Sequence, residues 1–295
     1  MDKSNFSGLT TALITPFKNN QPDFDSLERI LYKQISGNVD AILLFGTTGE
    51  GLSLSKREKK SIFHFTKNIL KEKIPIIACV SSPITHIAVD SVKEFDEWEA
   101  NAIMAITPYY YRCTEEGVIQ HFKTLTKSTS LPIIAYNVPS RTCCDIANMT
   151  NVIEYFNCCQ QIIAIKEADG NLSNCLNLLT KTKLPLLCGN DKFLHACLNA
   201  GYQGSVSVIS NLFPEEVKQI ISLSKQNKKN EAESIFNNLL PIIETLDTLP
   251  NPITVKYAAK LLFDCSESLR LPLTPPDQAT KLQIIKKIIS YKEKA

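Results

Sequence analysis

Eight short runs of apolar residues recur along the chain, and a helix-length amphipathic stretch follows most of them. The runs are Leu9–Ile14, Ala41–Phe45, Pro75–Val80, Ala102–Thr107, Pro132–Tyr136, Ile162–Lys166, Leu184–Cys188 and Gly204–Val208. They are almost continuously hydrophobic rather than alternating, which is typical of strands that are buried on both faces. The pattern therefore predicts eight buried strands that alternate with helices.

Start signals for helices lie between these runs. Asp25 followed by Glu28, and Ser55 followed by Glu58, have the spacing of a capping box, which pairs N–H groups that the first helical turn leaves free. Pro214 suits a first helical turn, since proline has no N–H to leave unpaired, and the two acidic residues after it favour the positive end of a helix. These signals predict helices that begin near residues 25, 55 and 214.

Eight strand–helix units over about 225 residues match the (β/α)8 TIM barrel, an α/β fold, in size and order. An open doubly wound sheet is the alternative, but it rarely contains eight strictly alternating units. Helical spacing alone continues after residue 225, over Lys229–Leu246, Ile253–Phe263 and, beyond the proline-rich break Leu271–Pro276, Ala279–Tyr291. We therefore predict a barrel over residues 1–225 and a C-terminal helical subdomain over residues 226–295.

Composition and charge narrow the class of protein. Apolar residues make up 44% of the 295, which is enough for a large core. The 32 Lys and Arg residues against 30 Asp and Glu give a net charge of +2, so charge gives no reason to expect nucleic acid or an anionic membrane as a partner. No apolar run approaches the roughly 18 residues of a membrane-spanning helix. Met1 to Ser7 are polar, which predicts no secretory signal and a cytoplasmic protein.

The ten cysteines do not have the spacing of a metal site. No C-x-x-C occurs, and no two of the four histidines are separated by four residues as on one helix face. We therefore predict no metal ion, and reduced cysteines that serve as small core residues in a cytosol.

Lys166 is the most informative single residue. In a barrel the active site lies at the C-terminal ends of the strands, and Lys166 ends the apolar run that begins at Ile162. An ordinary lysine, with a pKa near 10.4, is only about 1 part in 2500 free amine at pH 7. An apolar environment disfavours the ammonium and lowers that pKa, which a Schiff-base lysine requires. The alternative is a lysine that pairs with Glu167 or extends to the rim.

Other polar residues follow neighbouring strands. The turn from Gly46 to Gly49 would let a ligand approach the backbone and would hold a carboxylate through hydroxyl and N–H groups, or it is a plain strand–helix turn. Tyr136 and Tyr110 each follow an apolar strand, where a phenol either transfers protons or packs against the barrel. Arg141 is either a bidentate carboxylate clamp or a surface charge.

Four motifs resemble, in order and spacing, those of the dihydrodipicolinate synthase/N-acetylneuraminate lyase family of class I aldolases. They are G-T-T-G-E at 46–50, T-P-Y-Y at 107–110, Y-N-V-P-S-R-T at 136–142 and I-K-E-A at 165–168. The resemblance covers residues 1–215 and implies the same barrel with C-terminal helices. Because of its arginine, the third motif most resembles the synthase branch of the family.

The resemblance also implies catalytic roles. Lys166 falls where the family forms an imine with pyruvate, and Tyr136 falls at the phenol that transfers protons above it. Thr48 matches the threonine that links this phenol to a second tyrosine, here Tyr110, which a neighbouring subunit contributes. Because the imine withdraws electrons from the reacting carbon, no cofactor is expected.

Substrate-binding roles follow in the same way. Thr47 and Thr48 match the pair that holds the pyruvate carboxylate, and Arg141 matches the residue that binds the carboxylate of aspartate semialdehyde. Gly189 and Val206 correspond to main-chain groups that line the pocket. The partners implied are two small-molecule substrates and a homotetramer built as a dimer of dimers, with no nucleic acid and no membrane.

The sequence departs from the family pattern at several positions. Cys143 replaces the usual glycine after the third motif, so the loop that carries Arg141 is expected to differ in shape. At the effector site of lysine-inhibited members, Pro83 and Ile87 replace an asparagine and a glutamate, and two lysines replace histidines. These two lysines are Lys56 and Lys59. A cationic effector would meet added positive charge and lose a carboxylate, so we predict weak or absent inhibition by lysine.

The expected reaction is the condensation of pyruvate with L-aspartate-4-semialdehyde, and three alternatives remain at this stage. A sister aldolase that cleaves a sugar-derived 2-keto acid would keep Lys166 and Tyr136 but would not need Arg141. A non-catalytic binding module would keep only the barrel. A phosphate-binding barrel enzyme is suggested by Ala200–Gly204 alone, which is a weak phosphate signal.

Overall fold

Eight parallel strands close into a barrel in the computed structural model of the chain, which describes residues 6–293. The strands, numbered in chain order, are β1 (Leu9–Ala12), β2 (Phe17–Lys18), β3 (Gln21–Pro22), β4 (Ala41–Leu44), β5 (Ile76–Val80), β6 (Ala102–Ile106), β7 (Ile133–Asn137), β8 (Ile162–Glu167), β9 (Leu186–Cys188) and β10 (Gly204–Ser207). All except β2 and β3 form the ring, which β1 closes by pairing with both β4 and β10. This confirms the predicted barrel and excludes the open doubly wound sheet.

Helices pack around the ring. They are α1 (Phe24–Ser36), α2 (Lys56–Leu70), α3 (Thr85–Glu97), α4 (Glu115–Thr126), α5 (Pro139–Thr142), α6 (Thr150–Cys158), α7 (Leu172–Leu178), α8 (Leu194–Ala200), α9 (Pro214–Lys225), α10 (Lys229–Leu246), α11 (Ile253–Phe263) and α12 (Gln278–Lys292). Every residue of the eight barrel strands is buried, because side chains fill the ring on one face and helices cover the other. The prediction of strands buried on both faces is confirmed.

Helices begin within one residue of all three predicted starts, but the capping box predicted at Asp25 is wrong. Ser55 and Glu58 form the capping box of α2, and Pro214 occupies the first turn of α9. The cap of α1 is Asp23 rather than Asp25: the Asp23 carboxylate accepts a hydrogen bond from the backbone N–H of Ser26. The reason is that the helix already begins at Phe24, so Asp25 lies in its first turn, where its charge favours the positive helix end.

One small element has no counterpart among the predictions. β2 and β3 form an antiparallel hairpin of two residues each, joined by Asn19 and Asn20 with φ of 51° and 60°. Asparagine tolerates this left-handed conformation better than most residues. A two-residue strand is too short to produce a hydrophobic period, so the sequence pattern does not reveal it.

The C-terminal helices follow the prediction closely. α10 and α11 begin and end at the predicted residues, and α12 extends one residue further than predicted at each end. α10 packs against α8, α9 and α12, and α11 packs against α1 and α12, so this region lies against the barrel. The division at residues 225 and 226 stays a prediction. None of the helices over residues 6–293 has the length and apolar character to cross a membrane.

The predicted absence of a secretory signal rests on Met1 to Ser7, and residues 1–5 of this segment lie outside the described residues.

All ten cysteines are free thiols. Six are buried among core residues, whereas Cys143 and Cys158 are exposed, so the predicted packing role does not extend to these two.

Candidate active site

Lys166 lies at the C-terminal end of β8, inside the mouth of the barrel. Its side chain is only 6% exposed, and its Nζ lies 4.0 Å from the centroid of the Tyr136 ring. Tyr136 is its register partner on the neighbouring strand β7, so the parallel pairing itself brings the phenol beside the amine. Lys166 is therefore sheltered, in contact with the residue that the sequence predicted as its partner.

Glu167, the next residue, does not neutralise this lysine. Its carboxylate accepts hydrogen bonds from the Asn137 side chain at 2.8 Å and from the backbone N–H of Asp169 at 2.7 Å. Burial raises the pKa of Glu167 to about 7. Lys166 forms no ion pair with any residue that the structure describes. The alternative of a lysine paired with Glu167 is therefore wrong, because consecutive strand residues point to opposite faces.

Gly189 follows β9 and touches the stem of Lys166. A Cβ at this position would lie 2.8 Å from Lys166 Cε and 2.9 Å from the carbonyl oxygen of Glu167, closer than such atoms approach. The close passage of Lys166 therefore depends on a residue without a side chain. Gly189 also lines a cavity beside the lysine.

Two adjoining cavities open at this end of the barrel. The larger, of about 410 Å³, is lined partly by Thr47 and by Cys79, and the smaller, of about 280 Å³, partly by Gly189. Both are lined by Tyr136, Arg141, Pro250 and Asn251. The structure thus gathers the predicted residues Thr47, Tyr136, Arg141 and Gly189 around two adjoining cavities, together with a segment between α10 and α11.

The G-T-T-G-E motif forms a tight turn after β4. The Thr15 hydroxyl donates to the carbonyl of Gly49 at 2.8 Å, which holds the turn against the chain after β1. Thr47 is half-buried at the cavity wall, and Thr48 is buried. The Oγ1 of Thr48 accepts a hydrogen bond from Asn251 Nδ2 at 2.9 Å. Among the hydrogen bonds of residues 6–293, none joins Thr48 directly to Tyr136, so the link that the resemblance implies stays a prediction.

The glutamate of this motif is part of a buried ion pair. Glu50 accepts from Lys256 Nζ at 2.5 Å, with their side chains 2% and 0% exposed, and from the backbone N–H of Arg270 at 3.0 Å. The pKa of Lys256 is lowered overall, because burial lowers it and the neighbouring Glu50 carboxylate offsets only part of this effect. The Phe17 ring lies 4.2 Å from the Lys256 amine and 4.5 Å from the Arg270 guanidinium. The turn is thereby tied to α11 and to the segment before α12.

Neither this ion pair nor Asn251 was predicted from the sequence. Lys256 carried a signal, since it stands within the apolar helix Ile253–Phe263, where a charge needs a partner. Asn251 carried none, because it lies between Pro250 and Pro252, outside every motif.

Arg141 lies in the short helix α5 and is exposed on the cavity wall. Its guanidinium donates to the carbonyl oxygen of Asn251 at 3.5 Å. Cys143 ends this helix with a φ of 54°, a left-handed conformation that glycine adopts without strain and other residues at a cost of about 1–2 kcal/mol. The departure from the family pattern at Cys143 therefore falls at a position where glycine is favoured.

Four predicted residues line neither cavity: Lys166 and Thr48, which contact the cavity residues Tyr136 and Asn251, and Tyr110 and Val206. Tyr110 is 85% exposed, with its ring edge-on to Tyr111, and it lines neither cavity. Val206 is buried in β10 and also lines neither cavity. The roles expected of these two residues stay predictions.

The chain is similar in sequence to known proteins over nearly its whole length. The model of the dihydrodipicolinate synthetase family matches residues 5–291. A 4-hydroxy-tetrahydrodipicolinate synthase of Campylobacter jejuni is 36% identical over 100% of this chain and 99% of its own length. One of Rickettsia bellii is 38% identical over 95% of each chain.

Solved structures of related proteins have the same fold as this chain. That of the 4-hydroxy-tetrahydrodipicolinate synthase of Methylacidiphilum fumariolicum has a TM-score of 0.93 at 34% identity and covers 98% of this chain and 97% of its own. A monomeric dihydrodipicolinate synthase variant has a TM-score of 0.95 at 29% identity, with 98% of each chain covered. With a match of this length in sequence and in fold, the chain belongs to the dihydrodipicolinate synthetase family.

Proposed function

We propose that this chain is a lyase that condenses pyruvate with L-aspartate-4-semialdehyde to give 4-hydroxy-tetrahydrodipicolinate, the committed step toward diaminopimelate and lysine. The observation that carries the proposal is the buried Lys166 amine, which lies against Tyr136 at the C-terminal mouth of a closed barrel. Full-length relatives with this activity in their names support the same reaction.

The first half of the reaction uses the lysine. Lys166 Nζ attacks the ketone carbon of pyruvate, and loss of water leaves an imine between the two. Loss of a proton from the methyl carbon then gives an enamine. Tyr136, whose ring centroid lies 4.0 Å from the Lys166 amine, would transfer these protons. Thr47, on the cavity wall, and Thr48 would hold the pyruvate carboxylate at the turn after β4.

The second half builds the ring. The enamine carbon attacks the aldehyde carbon of the semialdehyde, and the new alkoxide takes up a proton. The amino group of the semialdehyde then attacks the imine carbon, which closes the ring and releases the Lys166 amine. Arg141, at the wall shared by the two cavities, would orient the second substrate through its carboxylate. Gly189 and the main chain at Val206 would complete the pocket.

A neighbouring subunit would complete the relay. The exposed Tyr110 ring is free to reach another chain and there to join Thr48 and Tyr136. We further propose that the enzyme is a cytoplasmic homotetramer, a dimer of dimers, in which each dimer exchanges Tyr110.

The test is to trap the imine with borohydride in the presence of pyruvate and to map the modified peptide. We expect one stable adduct, on Lys166, and none in Lys166→Ala. Circular dichroism of the variant controls for folding. An adduct that persists in Lys166→Ala, or none in the wild type, would overturn the proposal.

The choice of aldehyde needs a separate assay. Aspartate semialdehyde, N-acetylneuraminate and 2-keto-3-deoxygluconate should be compared with the same enzyme, since a sister aldolase would form the same adduct with pyruvate. We expect turnover of the semialdehyde only. Arg141→Ala should raise the KM for the semialdehyde while leaving the pyruvate adduct intact.

A further inference from the structure

The smaller cavity has an uneven set of charges. Of the described residues that line it, three are charged, Arg141, Asp191 and Asp247. Arg141 has a proposed partner in the carboxylate of the second substrate, whereas neither aspartate has a role in the proposed reaction. The cavity therefore offers negative charge that no group of the substrates yet uses.

The opposite charges come from the two sides of the lysine strand. β8, which carries Lys166, lies between β7 and β9 in the ring. Arg141 follows β7 and Asp191 follows β9. Asp247 lies on the β9 side as well, since its carboxylate is 3.7 Å from the amine of Lys192, the residue after Asp191. A molecule in this cavity therefore has a guanidinium on one side and carboxylates on the other.

Asp191 is held in place but is not fully paired. Its Oδ2 accepts hydrogen bonds from the backbone N–H groups of Val208 and Ile209, both at 2.8 Å. Its Oδ1 is buried and has no hydrogen-bond partner among residues 6–293. Because a buried oxygen without a partner costs free energy, a positively charged group in the cavity would be stabilised on this side.

Asp247 stands where the fold itself disfavours a negative charge. It caps the C-terminal end of α10, whose last carbonyls are already partly negative, and the last turn of this helix has no basic residue. Burial and the charge of Asp191 raise the pKa of Asp247, and Lys192 offsets only part of this effect. The pair with Lys192 is weak, since the two side chains are 39% and 47% exposed. The Asp247 carboxylate is therefore available to a second cation.

We propose that Asp247 binds the ammonium group of L-aspartate-4-semialdehyde while Arg141 binds its carboxylate. The two contacts together select an aldehyde that is also an α-amino acid, and Asp191 adds to the negative potential on the ammonium side. This inference rests on the proposed function and deepens it, because it assigns a partner to the amino group that later closes the ring.

Asp247→Asn tests this role with two aldehydes. Asparagine keeps the shape of the side chain and loses its charge. Succinate semialdehyde has the aldehyde and the carboxylate of the second substrate but no amino group, so it serves as a competitive probe of the same cavity. We expect kcat/KM for aspartate semialdehyde to fall by about tenfold or more, since a hydrogen bond between charged groups is lost. The inhibition constant of succinate semialdehyde should stay close to the wild-type value. An unchanged kcat/KM, or an equal weakening of both compounds, would overturn the inference.

Two control variants separate the ammonium contact from a change in local charge. Glu244→Gln removes the same charge from the last turn of α10 but outside both cavities, so kcat/KM should equal that of the wild type. Lys192→Gln breaks the surface pair but leaves the Asp247 carboxylate in place, so kcat/KM should be at least as high as in the wild type. A loss in either control as large as in Asp247→Asn would contradict the inference.

Assays of the wild type distinguish the failure of this inference from that of the proposed function. If the wild type consumes aspartate semialdehyde with pyruvate and Asp247→Asn does so equally well, the ammonium contact alone fails. If the wild type forms no adduct on Lys166, or does not consume the semialdehyde, the proposed function fails as well. Urea unfolding of each variant, relative to the wild type, verifies that the fold is retained.

Discussion

At the scale of single residues, the site depends on close contacts around one amine. Lys166 and Tyr136 were predictable, since each ends an apolar run and parallel strands bring such ends together. Gly189 was predicted only as a pocket-lining main-chain group implied by the family resemblance, and its close approach to Lys166 was not predicted. Asn251 was not predictable, because its contact with Thr48 joins residues 203 apart in sequence and no local pattern marks it.

Substitution of Gly189 should disturb Lys166 directly. In Gly189→Ala the new Cβ would lie 2.8 Å from Lys166 Cε, so the lysine must move away from its position beside Tyr136. We expect the rate of adduct formation with pyruvate to fall by about tenfold or more, since catalysis is sensitive to displacements of about 1 Å. The matched control is Gly170→Ala, whose Cβ would meet nothing within 4 Å. Equal rates in the two variants would contradict the role of Gly189.

Glu167 should make stability depend on pH. Its pKa of about 7 in the folded protein lies above the ordinary value of 4.5, so the folded state holds this proton more tightly. The resulting stabilisation is complete below about pH 4.5 and is lost as the pH rises to about 7.

Urea unfolding at pH 5 and pH 8 measures this effect. The wild type should lose more stability between the two values than Glu167→Gln does, by up to about 3 kcal/mol. The exposed carboxylate variant Glu154→Gln should behave like the wild type. If Glu167→Gln and the wild type show parallel pH dependence, Glu167 does not hold the proton.

At the scale of elements, hydrophobic spacing predicted α10 and α11 to the residue and every barrel strand within two residues or so at each end. The hairpin of β2 and β3 was missed because it is shorter than any period. The misplaced cap of α1 has a similar cause, since Asp23 and Asp25 are both acidic and only the observed start at Phe24 decides between them. Local patterns thus fix most elements, but not the contacts between distant ones.

The buried ion pair joins two such distant elements. Lys256→Met should leave the Glu50 carboxylate buried without its counter-charge, which costs about 3–5 kcal/mol of stability. The double variant with Glu50→Gln should recover part of this loss, because no unpaired charge remains. Urea unfolding measures both. The control is Lys260→Met, which breaks an exposed pair with Glu267 and should cost about 1 kcal/mol or less.

Inhibition of the enzyme by L-lysine should be weak because the residues on α2, and those on and just before α3, do not suit a cationic ligand. Lys56 on α2 pairs with Glu94 on α3 at 2.8 Å, and Lys59 lies one turn further along α2. Pro83 and the 43% exposed Ile87 supply no carboxylate for an incoming ammonium. We expect L-lysine to leave the initial rate nearly unchanged up to millimolar concentrations. Half-inhibition below 1 mM, on the order of a typical effector affinity, would refute this.

At the scale of the whole molecule, counting strand–helix units predicted the closed barrel, because eight alternating units leave few other arrangements. The assembly of chains is not predictable in this way, since no periodic pattern marks a surface that faces another copy. Tyr110 is the one predicted site residue whose role requires such an assembly.

Mixing two inactive variants tests whether Tyr110 acts between chains. Lys166→Ala lacks the imine-forming residue, and Tyr110→Phe lacks the relay hydroxyl. In a mixed dimer, the site with an intact Lys166 receives Tyr110 from the other chain, so co-expression should restore activity that neither variant has. Light scattering should show at least a dimer. An active monomer, or no restoration in the mixed dimer, would rule out exchange.

The pairing of β1 with β10 and the placement of Phe17 against Lys256 and Arg270 also bear on how the protein is made. β1 can pair with β4 early, but it gains its second neighbour, β10, only when residues 204–207 have emerged from the ribosome, and the turn at Glu50 gains its counter-charge later still. A nascent chain interrupted before β10 would therefore expose an open sheet edge, and one interrupted before Pro250 would lack part of the wall of both cavities. Activity should appear only after the residues up to Leu273, which line the larger cavity, have emerged, a delay that translation-coupled assays would detect.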